Sequence, residues 1–222
     1  MLKGIIFDMD GVISDSERLY VEVKNEVLGK FDIHDIPLEY HLQFVGTTHE
    51  YQWEHMSKRF HLEHVSTEEY LEVFYEVKNR VFEEEGVVPI EGALDFIARL
   101  KEHGYKLAIA SSSTIDEIEM TLQRYGIRQQ FDAITSGWEV EHGKPAPDIF
   151  LLAAKRLGLE PAECMVIEDS PNGAKGAIDG GIFCLGFRNA KFPLNDMKMA
   201  DAVYEKHDEM TIERLEALFA GK

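Results

Sequence analysis

Long apolar runs are missing from this sequence, and so is a recognisable targeting segment. A membrane-spanning helix needs at least about 18 consecutive apolar residues, and the apolar stretches here are far shorter. The stretch near the N-terminus, Gly4–Phe7, is also too short for the core of a signal peptide. We therefore expect a cytoplasmic protein with no membrane partner.

Cysteine is scarce as well. The 222 residues include two cysteines, Cys164 and Cys184, which lie in or beside the apolar runs CMVI and IFCLGF without the CxxC spacing of zinc or redox sites. A chain of this length can bury a sizeable core without a disulfide. Both thiols are therefore expected to be buried, in a protein of a reducing compartment.

Basic residues are outnumbered. Lys and Arg total 23 against 41 Asp and Glu, which gives a formal net charge of −18. Such a surface repels nucleic acids, so we expect none as a partner. A small anionic substrate is compatible with this charge only if the site provides its own positive charge, most economically as a divalent cation.

Apolar runs and amphipathic stretches alternate from about Gly86 onward. The expected strands are KLAIA (106–110), FDAITS (131–136), CMVI (164–167) and IFCLGF (182–187). Three of the helical stretches are followed by a glycine that suits a left-handed helix end: Gly104, Gly126 and Gly158. This alternation predicts an α/β fold with a parallel sheet covered by helices on both faces.

The segment 15–86 follows a different pattern. Apolar residues recur there at helical spacing, first at Leu19, Val23 and Val27 and then at Leu71, Phe74, Val77 and Val81. Ser66 and Glu69 have the spacing of a helix capping box. Its aromatic residues, including Tyr51 and Trp53, are expected mostly in its core. We predict a helical domain, 15–86, inserted after the first strand of an α/β core formed by 1–14 and 87–222.

Polar residues follow the predicted strands, at the edge where an open α/β sheet binds its ligands. They are Asp8 and Asp10 after the first strand, Ser111 and Ser112 after KLAIA, and Glu168 and Asp169 after CMVI, with Lys144 in the loop HGKPAPD. Because the carboxyl ends of parallel strands share one edge, these groups are expected to converge.

Converging carboxylates repel one another unless a cation neutralises them, and oxygen ligands favour Mg²⁺. A phosphate could then bind, with Lys144 and Ser111 on its remaining oxygens. Asp8 becomes a candidate nucleophile and Asp10 a candidate proton donor and acceptor. Each element alone also has an ordinary explanation, since DxD is common in loops and an acidic run can cap a helix. Only their joint occurrence favours a site.

Four segments together resemble the motifs of the haloacid dehalogenase superfamily, in the subgroup of β-phosphoglucomutase and sugar-phosphate phosphatases: FDMDGV, IASSS, GKPAPDIF and VIEDSPNG. The resemblance implies a Rossmann-like, three-layer core with an inserted helical cap, an Asp8 nucleophile and an Asp10 acid/base. It implies Mg²⁺ on Asp8, the Asp10 carbonyl and Asp169, with Glu168 as a direct or indirect ligand. The phosphoryl group would be bound by Ser111, Ser112 and Lys144.

The helical cap departs from the mutase pattern. Where the resemblance places a histidine, an arginine and a lysine, this chain has Tyr20, His49 and Glu76. The resemblance assigns the histidine to control of hydrolysis and the arginine and lysine to binding of a second phosphate, so without them hydrolysis is favoured over mutase activity. In the segment VGTTHEYQW, Gly46 and His49 are expected to contact the substrate, and an exposed residue at a helix start is an equal alternative for His49. The other histidines are expected on the surface.

The sequence therefore predicts a monomeric, Mg²⁺-dependent phosphatase of a small phosphorylated metabolite, with sugar phosphates as one candidate class. A phosphosugar mutase is the first alternative. The second, of another class, is a regulator that accepts a phosphoryl group or binds a phosphometabolite. No GxxxxGK[ST] or GxGxxG pattern occurs in the sequence, which argues against a P-loop kinase and a dinucleotide site.

Overall fold

The structure, a computed structural model, describes residues 1–44, 49–189 and 197–221. The chain divides into two compact units. The core unit comprises Met1–Asp15 with Pro89–Lys222, and the helical unit comprises Ser16–Val88. Across the described ranges, every helix is too short or too polar to pass through a membrane.

The helical unit is built from α1 (Glu17–Gly29), α2 (Leu38–Leu42), α3 (His49–Phe60) and α4 (Thr67–Glu85). Its core includes Trp53, whose ring stacks on Tyr70 with a centroid distance of 4.2 Å. Ser66 begins α4, and its hydroxyl oxygen accepts a hydrogen bond from the Glu69 amide at 3.1 Å. The expectation for Tyr51 is wrong, because its side chain is exposed. At 3.6 residues per turn, Tyr51 faces away from the side of α3 that buries Trp53.

The core unit contains a parallel sheet formed by β1 (Gly4–Phe7), β2 (Lys106–Ser111), β3 (Ala133–Ser136), β4 (Cys164–Glu168), β5 (Phe183–Phe187) and β6 (Ala202–Tyr204). The strand order is β3-β2-β1-β4-β5-β6, and every neighbouring pair is parallel. β1 therefore lies between β2 and β4, where the order in which the chain adds strands reverses. The carboxyl ends of strands at such a point form the usual ligand site of an open α/β sheet.

Helices cover both faces of this sheet: α5 (Ala93–Glu102), α6 (Ile115–Arg124), α7 (Asp148–Leu157), α8 (Pro171–Asp179) and α9 (Ile212–Ala220). Ile5 and Phe7 of β1 pack into one apolar core with residues of α5, α6 and α9. Ile6 packs into a second core with residues of α7 and α8. The predicted three-layer, Rossmann-like α/β fold is confirmed. Cys164 and Cys184 are buried in the second core and form no disulfide, also as predicted.

The chain leaves the core unit after the first strand and returns to it beside the point of departure. Ser14 and Pro89 form an antiparallel bridge, and the Ile90 N–H donates a hydrogen bond to the Ile13 carbonyl at 2.8 Å. We call these paired segments, Ile13–Ser14 and Pro89–Ile90, the stem. The backbone contacts of the stem thus join the two points at which the inserted segment leaves the core unit and returns to it.

Two histidines expected on the surface are buried instead. His41 in α2 is bonded through Nε2 to Asn25 Oδ1 at 2.8 Å. His207 begins a short 3₁₀ turn, His207–Glu209, after β6. A hydrogen bond at Nε2 offsets part of the cost of burying each neutral imidazole. The residues that form these bonds cannot be identified from local sequence.

Candidate active site

The carboxyl end of the central strand carries Asp8. Its backbone N–H donates to the Ile167 carbonyl of β4 at 2.9 Å, which keeps the residue in line with β1. The side chain is buried, and one carboxylate oxygen forms an ion pair with the Lys144 ammonium. The same ammonium lies 2.7 Å from Glu168 Oε1. Lys144 thus bridges two carboxylates at the ends of neighbouring strands.

The start of α8 holds the other oxygen of Glu168. Its Oε2 accepts hydrogen bonds from the Ser170 backbone N–H at 2.7 Å and from the Ser170 hydroxyl at 2.9 Å. The Ser170 hydroxyl oxygen in turn accepts from the Gly173 N–H at 3.0 Å and caps the helix. A Cβ at Gly173 would lie 1.8 Å from Glu168 Oε1, so only glycine leaves room for this carboxylate. Glu168 is therefore a fixed anchor for Lys144.

The ionisation of Asp8 depends on the charges around it. Burial raises the pKa of Asp8 to about 8 against the opposing effect of the Lys144 ammonium, and the Glu168 and Asp10 carboxylates add to the increase. Burial on its own would lower the pKa of Lys144, but the Asp8 and Glu168 carboxylates raise it above its ordinary value. Lys144 is therefore an ammonium at neutral pH. Further positive charge beside Asp8 would favour its ionised, nucleophilic form.

Asp10 is held by the end of β2. Its Oδ2 accepts a hydrogen bond from the Ser113 hydroxyl at 3.2 Å. Ser113 is itself fixed twice, because its N–H donates to Ser111 Oγ at 3.1 Å and its carbonyl accepts from the Ser136 hydroxyl at 2.6 Å. Ser113 is a candidate functional residue that sequence reasoning misses, since the run SSST (111–114) gives no reason to prefer one hydroxyl over the next.

Asp169 lies against the loop that follows Asp8. Gly11 has a φ of 81°, and a Cβ there would lie 2.1 Å from Asp169 Oδ2. Asp8, Asp169 and the Asp10 carbonyl offer the hard oxygen donors that suit Mg²⁺, so the residues present fit such an ion. Within the described ranges, no three Asp, Glu, His or Cys side chains form a metal-binding group. The ligand set Asp8, Asp10, Glu168 and Asp169 therefore stays a prediction.

The remaining residues predicted to bind the phosphate or the substrate lie in both units of the chain. Ser111 ends β2 and is buried, whereas Ser112 is exposed. His49 begins α3 in the helical unit, where its ring lies 4.2 Å from that of Phe74 between centroids. It is therefore partly covered by the unit's own aromatic residues. Gly46 lies outside the described residues.

The helical unit also contains a buried ammonium that sequence reasoning misses. Lys78 is 6% exposed, and its Nζ lies 5.7, 5.8 and 5.5 Å from the ring centroids of Tyr20, Tyr75 and Phe82, respectively. Glu76, the position compared with a mutase lysine, is exposed. The buried lysine of α4 thus lies two residues after Glu76, the position at which the resemblance expects a lysine.

Gly11→Ala is expected to destabilise the protein by more than the strain of placing a non-glycine residue in a left-handed conformation. A non-glycine residue in that conformation costs about 1–2 kcal/mol, and here the new methyl group would also overlap the Asp169 carboxylate. The matched control is Gly126→Ala, which has a φ of 68° but no atom within 4 Å of the added Cβ. Urea unfolding should show an additional loss of about 1 kcal/mol for Gly11→Ala. Equal losses would contradict the packing of Asp169 on this loop.

Comparisons with known proteins agree with this geometry. The sequence model of the haloacid dehalogenase-like hydrolase family matches residues 5–187. The phosphorylated carbohydrates phosphatase of Thermotoga maritima is 32% identical over 186 residues, 82% of each chain. The β-phosphoglucomutase of Bacillus subtilis is 29% identical over 221 residues, 96% of this chain and 94% of the relative. The crystal structure of β-phosphoglucomutase from Clostridium difficile shares the fold, with a TM-score of 0.83 at 24% identity over 100% of this chain and 98% of that one. This chain belongs to the haloacid dehalogenase-like hydrolase family.

Proposed function

We propose that this hydrolase is a Mg²⁺-dependent phosphatase that acts on a small phosphorylated metabolite, with sugar phosphates as the first class to test. The observation that carries the proposal is the position of Asp8: a buried carboxylate at the switch point of the sheet, paired with an ammonium that Glu168 anchors. The name of the Thermotoga maritima relative, a phosphatase of phosphorylated carbohydrates, supports this substrate class.

In the first step, an Asp8 carboxylate oxygen attacks the phosphorus atom and forms an acyl phosphate. The bond between phosphorus and the ester oxygen breaks, and Asp10 donates a proton to that oxygen as the alcohol leaves. In the second step, water attacks the phosphorus of the acyl phosphate while Asp10 takes a proton from it. The bond to Asp8 then breaks, and inorganic phosphate leaves.

The surrounding residues support this chemistry by binding the phosphoryl oxygens. The Lys144 ammonium lies beside Asp8, where it can pair with an oxygen of the phosphoryl group. Ser111 Oγ accepts a hydrogen bond from the Ser113 N–H, which leaves its own proton to donate to the substrate. Asp8, Asp169 and the Asp10 carbonyl would hold a Mg²⁺ ion, whose charge offsets that of the carboxylates and of the phosphate.

A phosphate-release screen over phosphorylated metabolites tests the proposal, run once with Mg²⁺ and once with excess chelator. We expect release from a subset of sugar phosphates with Mg²⁺ and almost none with chelator. Stable labelling of Asp8 without phosphate release would instead favour a phospho-accepting regulator. Release that is unaffected by the chelator would contradict the metal requirement.

Asp10→Asn is expected to lower kcat by about 10²–10⁴-fold, because a side chain that donates and accepts the transferred proton typically contributes that much. The loss should affect both half-reactions, which rapid-quench measurements of the acyl phosphate and of released phosphate can separate. Ser113→Ala is the matched control, since it removes the hydroxyl that orients Asp10 and keeps the carboxylate. Its loss should be much smaller. Unimpaired turnover by Asp10→Asn would refute the proton-transfer role.

A phosphosugar mutase is the second candidate, favoured by the similarity to the Bacillus subtilis β-phosphoglucomutase over nearly the whole chain. Tyr20 and Glu76 in the helical unit argue against it, because the resemblance expects a histidine that controls hydrolysis at the first position and a lysine that binds a second phosphate at the other. Incubation with a hexose 1-phosphate and its bisphosphate separates the two activities. Formation of the 6-phosphate isomer without phosphate release would identify a mutase.

A further inference from the structure

A buried histidine just after the edge strand β6 contacts the loop that carries the candidate catalytic aspartates. His207 Nε2 lies 2.8 Å from the Val12 carbonyl oxygen, and its Nδ1 lies 3.0 Å from the Tyr204 hydroxyl. Because a carbonyl only accepts, Nε2 carries the proton and donates it. Nδ1 then accepts a hydrogen bond from Tyr204. The two contacts thus select one tautomer of a neutral imidazole.

The ring of His207 is fixed on several sides. It stacks on Phe187 of β5 with a centroid distance of 4.4 Å and an interplanar angle of 17°, and it lies 5.6 Å from the ring of Phe96 in α5. The Arg99 guanidinium donates to the His207 carbonyl at 3.3 Å and to the Met210 carbonyl at 3.4 Å. The imidazole is therefore a rigid donor, and neither step of the proposed reaction uses it.

Val12 belongs to a compact turn that begins at the catalytic aspartates. The amides of Ile13 and Ser14 donate to the Met9 carbonyl at 2.8 and 2.9 Å, and the Gly11 amide donates to the Ser14 carbonyl at 2.9 Å. These bonds close the turn on itself. The bond from His207 comes from outside the turn, and it ties the Val12 carbonyl to a residue 195 positions away in the sequence.

We propose that His207 is a positioning residue that holds the Asp8–Ser14 loop in its catalytic geometry through the Val12 carbonyl. The proposal rests on the proposed phosphatase function, since its kinetic consequence is expressed in phosphate release. Small displacements of reacting groups, on the order of 1 Å, can cost about 10²-fold in rate. Losing the His207 donor should therefore reduce kcat while leaving the binding of substrate largely intact.

Three variants test this role. His207→Phe keeps a planar ring against Phe187 and removes the donor, and it should lower kcat by about 10–100-fold with KM changed by less than about threefold. His207→Gln places an amide N–H near the position of Nε2 and should restore most of kcat. Tyr204→Phe, the matched control, removes only the hydroxyl on the opposite side of the imidazole and should have a small effect.

Hydrogen exchange of the Ile13 and Ser14 amides provides a readout that needs no substrate. Exchange at both amides should be faster in His207→Phe than in the parent protein, and close to the parent rate in His207→Gln. A folded His207→Phe with parental kcat and exchange would overturn the proposal. If His207→Phe does not fold, parental exchange in His207→Gln supports the proposal and accelerated exchange overturns it. A parent protein that releases phosphate from no substrate would refute the phosphatase function, while the exchange comparison still judges His207.

Discussion

Replacing Asp8 with asparagine will lower the rate of phosphate release by about 10³-fold or more, because the amide cannot form the acyl phosphate. The fold should survive, since the asparagine carbonyl can still accept a hydrogen bond from Lys144, which also keeps Glu168 as a partner. We expect the free energy of unfolding to change by no more than about 1 kcal/mol. Steady-state phosphate release and urea unfolding measure the two effects.

The matched control for this experiment is Asp179→Asn. Asp179 pairs with Lys175 on the surface of α8, at the end of that helix opposite to the one that Ser170 caps. Its substitution should leave turnover unchanged, because an exposed ion pair contributes little. Parental turnover by a folded Asp8→Asn variant would show that another group attacks the phosphorus. Loss of turnover together with loss of the folded state would contradict the expectation that the fold survives.

Lys144→Met is expected to reduce both stability and activity. The substitution leaves the Asp8 and Glu168 carboxylates without the ammonium that bridges them. Removing one partner of a buried ion pair typically costs about 3–5 kcal/mol. The cost should shrink as the pH falls below about 8, the raised pKa of Asp8, because protonation of that carboxyl removes its charge from the unpaired site. Phosphate release should fall as well, because Asp8 becomes harder to ionise and the phosphoryl group loses a cationic ligand.

Two further variants separate these effects of Lys144. The double variant Lys144→Met/Glu168→Gln removes one of the two unpaired charges and should recover part of the stability without recovering activity. Lys101→Met is the surface control, because Lys101 pairs with Asp132 at 2.7 Å in a partly exposed position, and it should cost about 1 kcal/mol or less. If Lys144→Met were as mild as Lys101→Met in urea unfolding, the buried bridge would not have the importance assigned to it.

The position of the candidate site could be predicted because parallel strands end at a common level. Phe7 of β1 pairs in register with Ile109 of β2 and with Ile167 of β4. The polar residues that follow these positions therefore arrive at the same edge, however far apart they are in the chain. Apolar runs buried on both faces mark such strands in the sequence, so the fold and the location of the site follow from local patterns.

Other features needed the three-dimensional structure. β6 has three residues, AVY, at the sheet edge, and Val203 is 39% exposed. Its apolar run is too short to predict a strand. The partners of Asp10 and of Val12 are distant in sequence and belong to common residue types, a serine and a histidine. Whether Lys78, the one lysine of α4, is buried depends on the rotation of the helix about its axis, which the spacing of Glu76 and Lys78 does not settle. Sequence identifies residue types at strand ends, whereas specific hydrogen-bond partners depend on packing.

The stem has a consequence for how such an enzyme can be altered. Because Ser14 and Pro89 bridge directly and the Ile90 amide bonds to the Ile13 carbonyl, the segment 16–88 departs and returns at adjacent points. Loop-closure entropy grows only slowly with length. The sheet therefore places little constraint on the length of the segment inserted between these points. Chimeras in which the segment 16–88 is replaced by that of a relative should therefore keep the strand register of this sheet. Their substrate profiles would reveal whether the core unit or the helical unit selects the metabolite.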